Sequence, residues 1–194
     1  MEKTGKSKKS KAGASAESIS KAYLNYLVTE GKSPASVYKF CLDLGIKEDE
    51  FYNHFGSFES IEKQIWRGFI NDTLKKLTAD NAYGSFSARE KVLTFYFALV
   101  EKLKSSRSFI LMQVAHWSSP SAVPPAPLRE MKKEFDPWIK QVIEEAKKTE
   151  EVARRPYLEK QYHSLLWLHF LFILHFWSKD DSPGFEKTDA AIEK

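Results

Sequence analysis

Apolar residues recur along most of this chain at intervals of three and four, the spacing of a helix face, and no stretch keeps the alternation a strand requires. In "SAESISKAYLNYLVTEG", Ile19, Tyr23, Tyr26 and Leu27 share one face, and Gly31 marks the C-terminal stop. "SPASVYKFCLDLG" reads as a second helix, with Ser33 as its cap, Pro34 in its first helical position and Gly45 at its end. Its apolar positions, Val37, Phe40, Cys41 and Leu44, follow i, i+3, i+4, i+7, which makes Cys41 a small core residue. "KEDEFYNHF" predicts a short third helix ending near Gly56. Ser57 then caps a long fourth one with Ile61, Ile65, Trp66, Phe69 and Leu77 as its buried stripe.

A polar break over residues 79–87 separates this part from a second group of helices. "SAREKVLTFYFALVEKLKS" and "SRSFILMQVAHWS" are helical, and the proline-rich residues 119–127 are a loop. "LREMKKEFDPWIKQVIEEAKK" carries Pro137, which kinks or splits a helix at that point. "PYLEKQYHSLLWLHFLFILHFWS" starts at Pro156, and "FEKTDAAIEK" begins one more helix. The run Leu165–Trp177 is apolar on every side, yet spanning a bilayer takes about 20 such residues. It is therefore a helix covered on two sides within protein.

Composition narrows the class. Hydrophobic residues make up 42% of the 194 and aromatics 14%, too many for a disordered chain. A lone cysteine excludes an internal disulfide framework and a cysteine-based zinc site within one chain. The net charge of +4 belongs to the first twelve residues, where five lysines face one glutamate; the other 182 sum to zero. Residues 1–14 are expected to be a disordered basic tail. No apolar signal segment opens the chain, and the expectation is a cytoplasmic protein with no membrane insertion.

The stretch "SVYKFCLDLGIKEDEFYNHFGSFESI" resembles the TetR family of bacterial transcriptional regulators. Phe40-Cys41 resembles the family's Ile-Ala pair and Gly45 its turn glycine. Tyr52 and Phe55 match its aromatic pair, and Gly56-Ser57-Phe58-Glu59 the start of its fourth helix; the likeness spans roughly residues 17–70. It implies an all-α fold with a helix-turn-helix domain over residues 15–60 and a larger helical bundle over 61–194. It also implies a homodimer built through the last helices and a small apolar or lipid-like effector held in the larger part. Gly45 suits the tight turn that lets a second helix lie in the major groove. Phe51 and Phe55, i and i+4, face inward, so Tyr52 and Asn53 point away. The residues expected to meet DNA are Ser36, Lys39, Lys47, Tyr52, Asn53 and His54. Two paired recognition helices read DNA when about 34–36 Å apart.

The chain departs from the family pattern where phosphate would be met. Residues 31–60 hold three lysines against five acids, and Glu48, Asp49 and Glu50 occupy the third helix's first turn. Phosphate contacts supply most non-specific DNA affinity, so this head starts at a disadvantage. The same acids favour the helix macrodipole, and an acid can accept from cytosine N4. Two readings follow: an operator-binding regulator modulated by an apolar effector, or a protein of the same fold that has lost DNA binding and holds a lipid or isoprenoid.

Phe95, Phe109, Met112, His116, Trp117, Trp138 and Trp167 are the residues expected around an effector. Successive members of His163, His169 and His175 are displaced by about 240° around a helix, so they do not converge on one ion and no metal or cofactor is expected. No phosphate loop, nucleophile elbow or paired-carboxylate motif is present, and a binding protein rather than an enzyme is expected.

Overall fold

The computed structural model describes residues 14–115, 117, 119, 124–151 and 161–194, and among them every regular element is helical. In order these are α1 (Ala16–Glu30), α2 (Val37–Leu44), α3 (Glu48–Tyr52), α4 (Phe58–Thr78), a 3-10 turn (Tyr83–Ser85), α5 (Ala88–Lys104), α6 (Arg107–Val114), α7 (Ala126–Lys148), α8 (Tyr162–Lys179), a 3-10 turn (Pro183–Phe185) and α9 (Glu186–Glu193). The fold is all-α, as the spacing of apolar residues predicts. The predicted basic tail up to residue 13, the loop core 120–123, His116 and the Pro156 helix start all lie outside the described residues.

The chain divides into two compact units, the first ending at Ile61 and the second beginning at Glu62. In the first, α1 is capped by Ser15 and Ser18, each backbone N–H donating to the other's hydroxyl. It ends at Gly31, whose φ of 68° lies in the left-handed region. The second helix begins later than the Ser33-Pro34 pair suggests. Ser36 is the residue whose hydroxyl accepts from an orphan N–H, that of Lys39, at 3.1 Å, and Pro34 sits buried ahead of the helix. Leu44, expected in the core, is instead 36% exposed. Ile19, Tyr23, Leu27, Phe40, Cys41, Phe51, Phe55 and Ile61 fill the core. Phe58 stacks on Tyr23 at 5.0 Å between ring centres and stands edge-on to Phe40 and Phe51.

In the second unit, α7 packs on α8 and α5, and α9 on α5 and α8. The α7 stripe Leu128, Met131, Phe135, Trp138, Ile139, Val142, Ile143 and Ala146 is buried. That helix starts at Ala126, so Pro127 belongs to its first turn, where a missing N–H costs nothing. It also runs through Pro137 without splitting. On α4, Ile70 and Thr73 are buried, whereas the predicted Ile65 is only half-buried. Thr73 satisfies its hydroxyl on the Phe69 carbonyl at 2.7 Å.

The last helix is fastened by one carboxylate. Asp180, 5% exposed, accepts from the N–H and hydroxyl of Ser182 at 2.9 and 2.6 Å and from those of Thr188 at 2.8 and 2.6 Å. Beside it, the Arg107 guanidinium donates to the Trp177, Ser178 and Asp180 carbonyls and lies over the rings of Trp177 and Phe185 at 4.6 and 4.5 Å. Arg107 therefore closes the C-terminal carbonyls of α8 while Asp180 caps the path into α9.

Candidate nucleic-acid interface and ligand cavity

The turn between α2 and α3 rests on Gly45, whose φ of 73° is open to glycine without strain. The N–H groups of Gly45 and Ile46 close on the carbonyls of Leu42 and Cys41 at 3.1 and 3.0 Å, which ends α2 and redirects the chain. Phe51 and Phe55 are then drawn into the core, at 0% and 3% exposure, and Tyr52 stands out at 52%. Ser36, Lys39, Lys47, Asn53 and His54 are exposed as well, so all six residues expected at DNA lie on the surface of the first unit. His54 has a second attachment: its Nε2 donates to the Ala14 carbonyl at 2.8 Å, tying the end of α3 to the start of α1.

The three acids divide by role. Glu50 receives the Lys47 backbone N–H at 3.2 Å and so closes the first turn of α3. Asp49 is exposed and Glu48 half-buried. The Cys41 thiol is pushed up by burial first and then by the charges of Glu48 and Glu50, which keeps it protonated and unreactive.

In the second unit, a cavity of about 570 Å³ is lined by α5, α7, α8 and α9 together with Glu151. Its walls include Ala88, Val92, Leu93, Val142, Ile143, Ala146, Leu166 and Ile192, with Tyr96 and His169 as neighbouring polar groups. The Tyr96 hydroxyl donates to the Leu166 carbonyl at 3.3 Å and lies 3.2 Å from His169 Nδ1. Burial raises the Tyr96 phenol well above its ordinary value and lowers the His169 imidazole. A more polar hollow of about 680 Å³ lies against the start of α5 and the end of α7. Lys91, 8% exposed, binds Glu145 there at 2.6 Å with its ammonium 5.4 Å from the centre of the Tyr83 ring. Hydrogen bonds from Lys91 and Gln141 hold the Glu145 carboxyl below its usual range.

The described residues among those expected around an effector pack as follows. The Phe95 and Trp138 rings lie 4.3 Å apart and tilted to each other, Phe135 lies against both, and Trp167 packs on Phe135 and Phe170. Trp138 spends its indole N–H on the Tyr83 hydroxyl at 2.8 Å. Phe109 is buried against Trp66, Trp117 meets His175, and Met112 is half-buried. None of these six described residues lines either hollow. His163, His169 and His175 have different neighbours: Ser164, Tyr96 and Trp117.

The outward side of α8 is apolar. Leu165, Leu168 and Phe172, at i, i+3 and i+7, are 50%, 46% and 45% exposed, and the Phe176 ring lies 6.1 Å from that of Phe172.

The family profile described as "Tetracyclin repressor-like, C-terminal domain" matches residues 91–194, more than half of the chain. The chain belongs to the TetR family. No curated protein matches it. Among solved structures, the fold is shared with a protein from Shewanella sp. PV-4 assigned to the TetR family of transcription regulators, at 14% identity, a TM-score of 0.60 and 92% coverage of each chain. It is shared equally with a protein of unknown function from Rhodococcus sp. RHA1, at 14% identity, a TM-score of 0.60 and 94% coverage of each.

Two residues of this TetR chain near the expected DNA edge have structural roles. Phe58, at the start of α4, is taken up by the Tyr23 stack, and Glu50 caps α3. Sequence reading missed the cavity walls because their signal is small size rather than aromaticity. Ala88 and Val92 on α5, and Val142 and Ala146 on α7, are two i, i+4 pairs of short side chains lining the same space. No helix among the described residues is long and apolar enough to cross a membrane.

Proposed function

We propose that this TetR-family protein is a homodimeric regulator of transcription that reads operator DNA through α3 and responds to a small apolar or amphipathic molecule held in its second unit. The observation that carries the reading is the outward presentation of Tyr52, Asn53, Lys39 and Lys47 around a glycine corner, with Phe51 and Phe55 turned inward. Tyr52 offers its hydroxyl to phosphate or base edge, and the lysines supply counter-charge. The Leu165, Leu168 and Phe172 stripe supports self-association, because a twin helix laid on it removes three large apolar side chains from water. The effector is assigned to the cavity lined by α5, α7, α8 and α9, whose volume and apolar walls suit a small molecule.

A second reading keeps the fold and dimer but assigns no operator: a holder of a lipid or isoprenoid. The exposed Asp49 and the half-buried Glu48 in the first turn of α3 favour it, since both repel phosphate.

The experiment joins dimer to DNA. Leu168→Asp combined with Phe172→Asp places a charged pair on the stripe. Sedimentation velocity is expected to show a dimer for the native protein and a monomer for the variant. Binding to the protein's own upstream DNA falls with the dimer, because one head meets only one half-site. A native monomer, or a monomeric variant that retains full DNA affinity, would sink the proposal.

A further inference from the structure

We infer that the cavity lined by α5, α7, α8 and α9 selects neutral apolar molecules that carry a hydroxyl or phenolic donor, and that His169 Nε2 receives that donor. The inference rests on the assignment of the effector to this cavity and names the chemical class it takes.

The hydrogen-bond order around Tyr96 sets the polarity of the site. A phenol has one proton, and that of Tyr96 goes to the Leu166 carbonyl at 3.3 Å. The contact of 3.2 Å with His169 Nδ1 then requires Nδ1 to carry the hydrogen and the Tyr96 oxygen to accept. In a neutral imidazole the proton on Nδ1 leaves Nε2 as a bare acceptor. Burial lowers the affinity of His169 for a second proton, so the ring is neutral near pH 7. The ring is half-buried, which raises the cost of leaving its acceptor without a donor.

The charge around the cavity points the same way. Its charged lining residues among those described are Arg89 and Lys194 against Glu151 and Glu193, two of each sign. Glu151 is already engaged by the Ala88 N–H at 2.8 Å and the Thr149 hydroxyl at 2.9 Å. This balance gives no advantage to a carboxylate or an ammonium ligand. Aliphatic walls, a neutral imidazole acceptor and balanced charge together describe a neutral apolar molecule with one hydroxyl.

The test uses 4-hexylphenol and its methyl ether, which differ in the donor, with binding to the full-length protein followed by calorimetry. The phenol is expected to bind at least about tenfold more tightly than the ether, the range set by one satisfied buried acceptor. His169→Phe keeps an apolar ring and removes the acceptor, and is expected to bind both probes within about twofold of each other, the acceptor's contribution being gone. Leu166→Trp, at a half-buried wall position, is expected to abolish binding of both while circular dichroism shows the fold retained. Equal affinity for phenol and ether in the native protein overturns the inference. So does a phenol preference that survives His169→Phe, binding that survives Leu166→Trp, or failure of both probes to bind. DNA binding measured on the same preparations separates the outcomes. Loss of discrimination with operator binding intact removes the ligand class and leaves the regulator reading standing.

Discussion

Replacing Phe51 by alanine is expected to remove about 3–5 kcal/mol from the first unit, the usual cost of deleting a fully buried aromatic ring. Phe51 is 0% exposed, and its ring meets those of Phe40, Tyr52, Phe55 and Phe58 at 6.2, 5.4, 6.1 and 5.8 Å. A unit whose described part runs only from residue 14 to Ile61 buries little surface per residue and holds only a few kcal/mol in reserve. The first unit of the variant should therefore melt while the second stays folded. NMR spectra would show the Tyr23, Phe40 and Phe58 signals collapse to random-coil positions, with those of Phe95 and Trp138 undisturbed. A native-like spectrum with a loss below about 1 kcal/mol would mean that the site repacks and that Phe51 is not the centre of the head.

The second large effect is expected at Asp180. Asp180→Ala removes the acceptor of four hydrogen bonds and leaves the Thr188 N–H and hydroxyl buried without it, a change that costs about 3–5 kcal/mol in comparable buried networks. It should also release α9 and take Ile192 from the cavity wall, so ligand binding falls together with stability. The acid dependence has a definite sign. Burial alone would raise the Asp180 carboxyl, but the hydrogen bonds from Ser182 and Thr188 outweigh it and hold the group well below its ordinary value. A depressed folded value means that the stabilisation is fully present above the unfolded value of about 3.9 and is lost as the pH falls below it. Thermal melts should show the native protein losing stability from about pH 4 downward, and Asp180→Ala losing less over the same range. Parallel pH curves for the two proteins would remove Asp180 as the acid-sensitive group.

The helical fold was legible because it is written in side-chain spacing. Phe40 and Cys41, Phe51 and Phe55, and the α7 stripe from Leu128 to Ala146 each mark one buried face, and each is buried. The corner at Gly45 was legible for a related reason, since a left-handed residue between two short helices favours glycine. Helix starts were less so. Ser33 and Ser36 both satisfy the local rule for a cap, and only the Lys39 N–H on the Ser36 hydroxyl distinguishes them. Pro137 carries a strong local signal for a break, yet α7 continues through it, because Phe135, Trp138 and Ile139 are buried on both sides of it.

The cavity proposed for the effector was the least legible part. Large aromatic residues such as Phe95, Trp138 and Trp167 are conspicuous in a sequence, but their size lets them pack on one another. The space lies beside alanine and valine, whose shortness becomes a signal only when two helices bring short residues to one place. The Asp180 network was also hidden, because Ser182 and Thr188 are two and eight residues away and their convergence depends on the turn before α9.

The central claim is that this TetR-family chain reads DNA with an acid-edged helix. Titrating its own upstream DNA and a scrambled copy across a salt series, for the native protein and Lys39→Ala, tests it directly. The account predicts a clear preference for the native sequence. It also predicts a steep fall of affinity with salt, and a log–log slope shallower by about one in Lys39→Ala, the mark of one lost phosphate contact. Equal binding of both DNAs, or no binding at low salt, would contradict it.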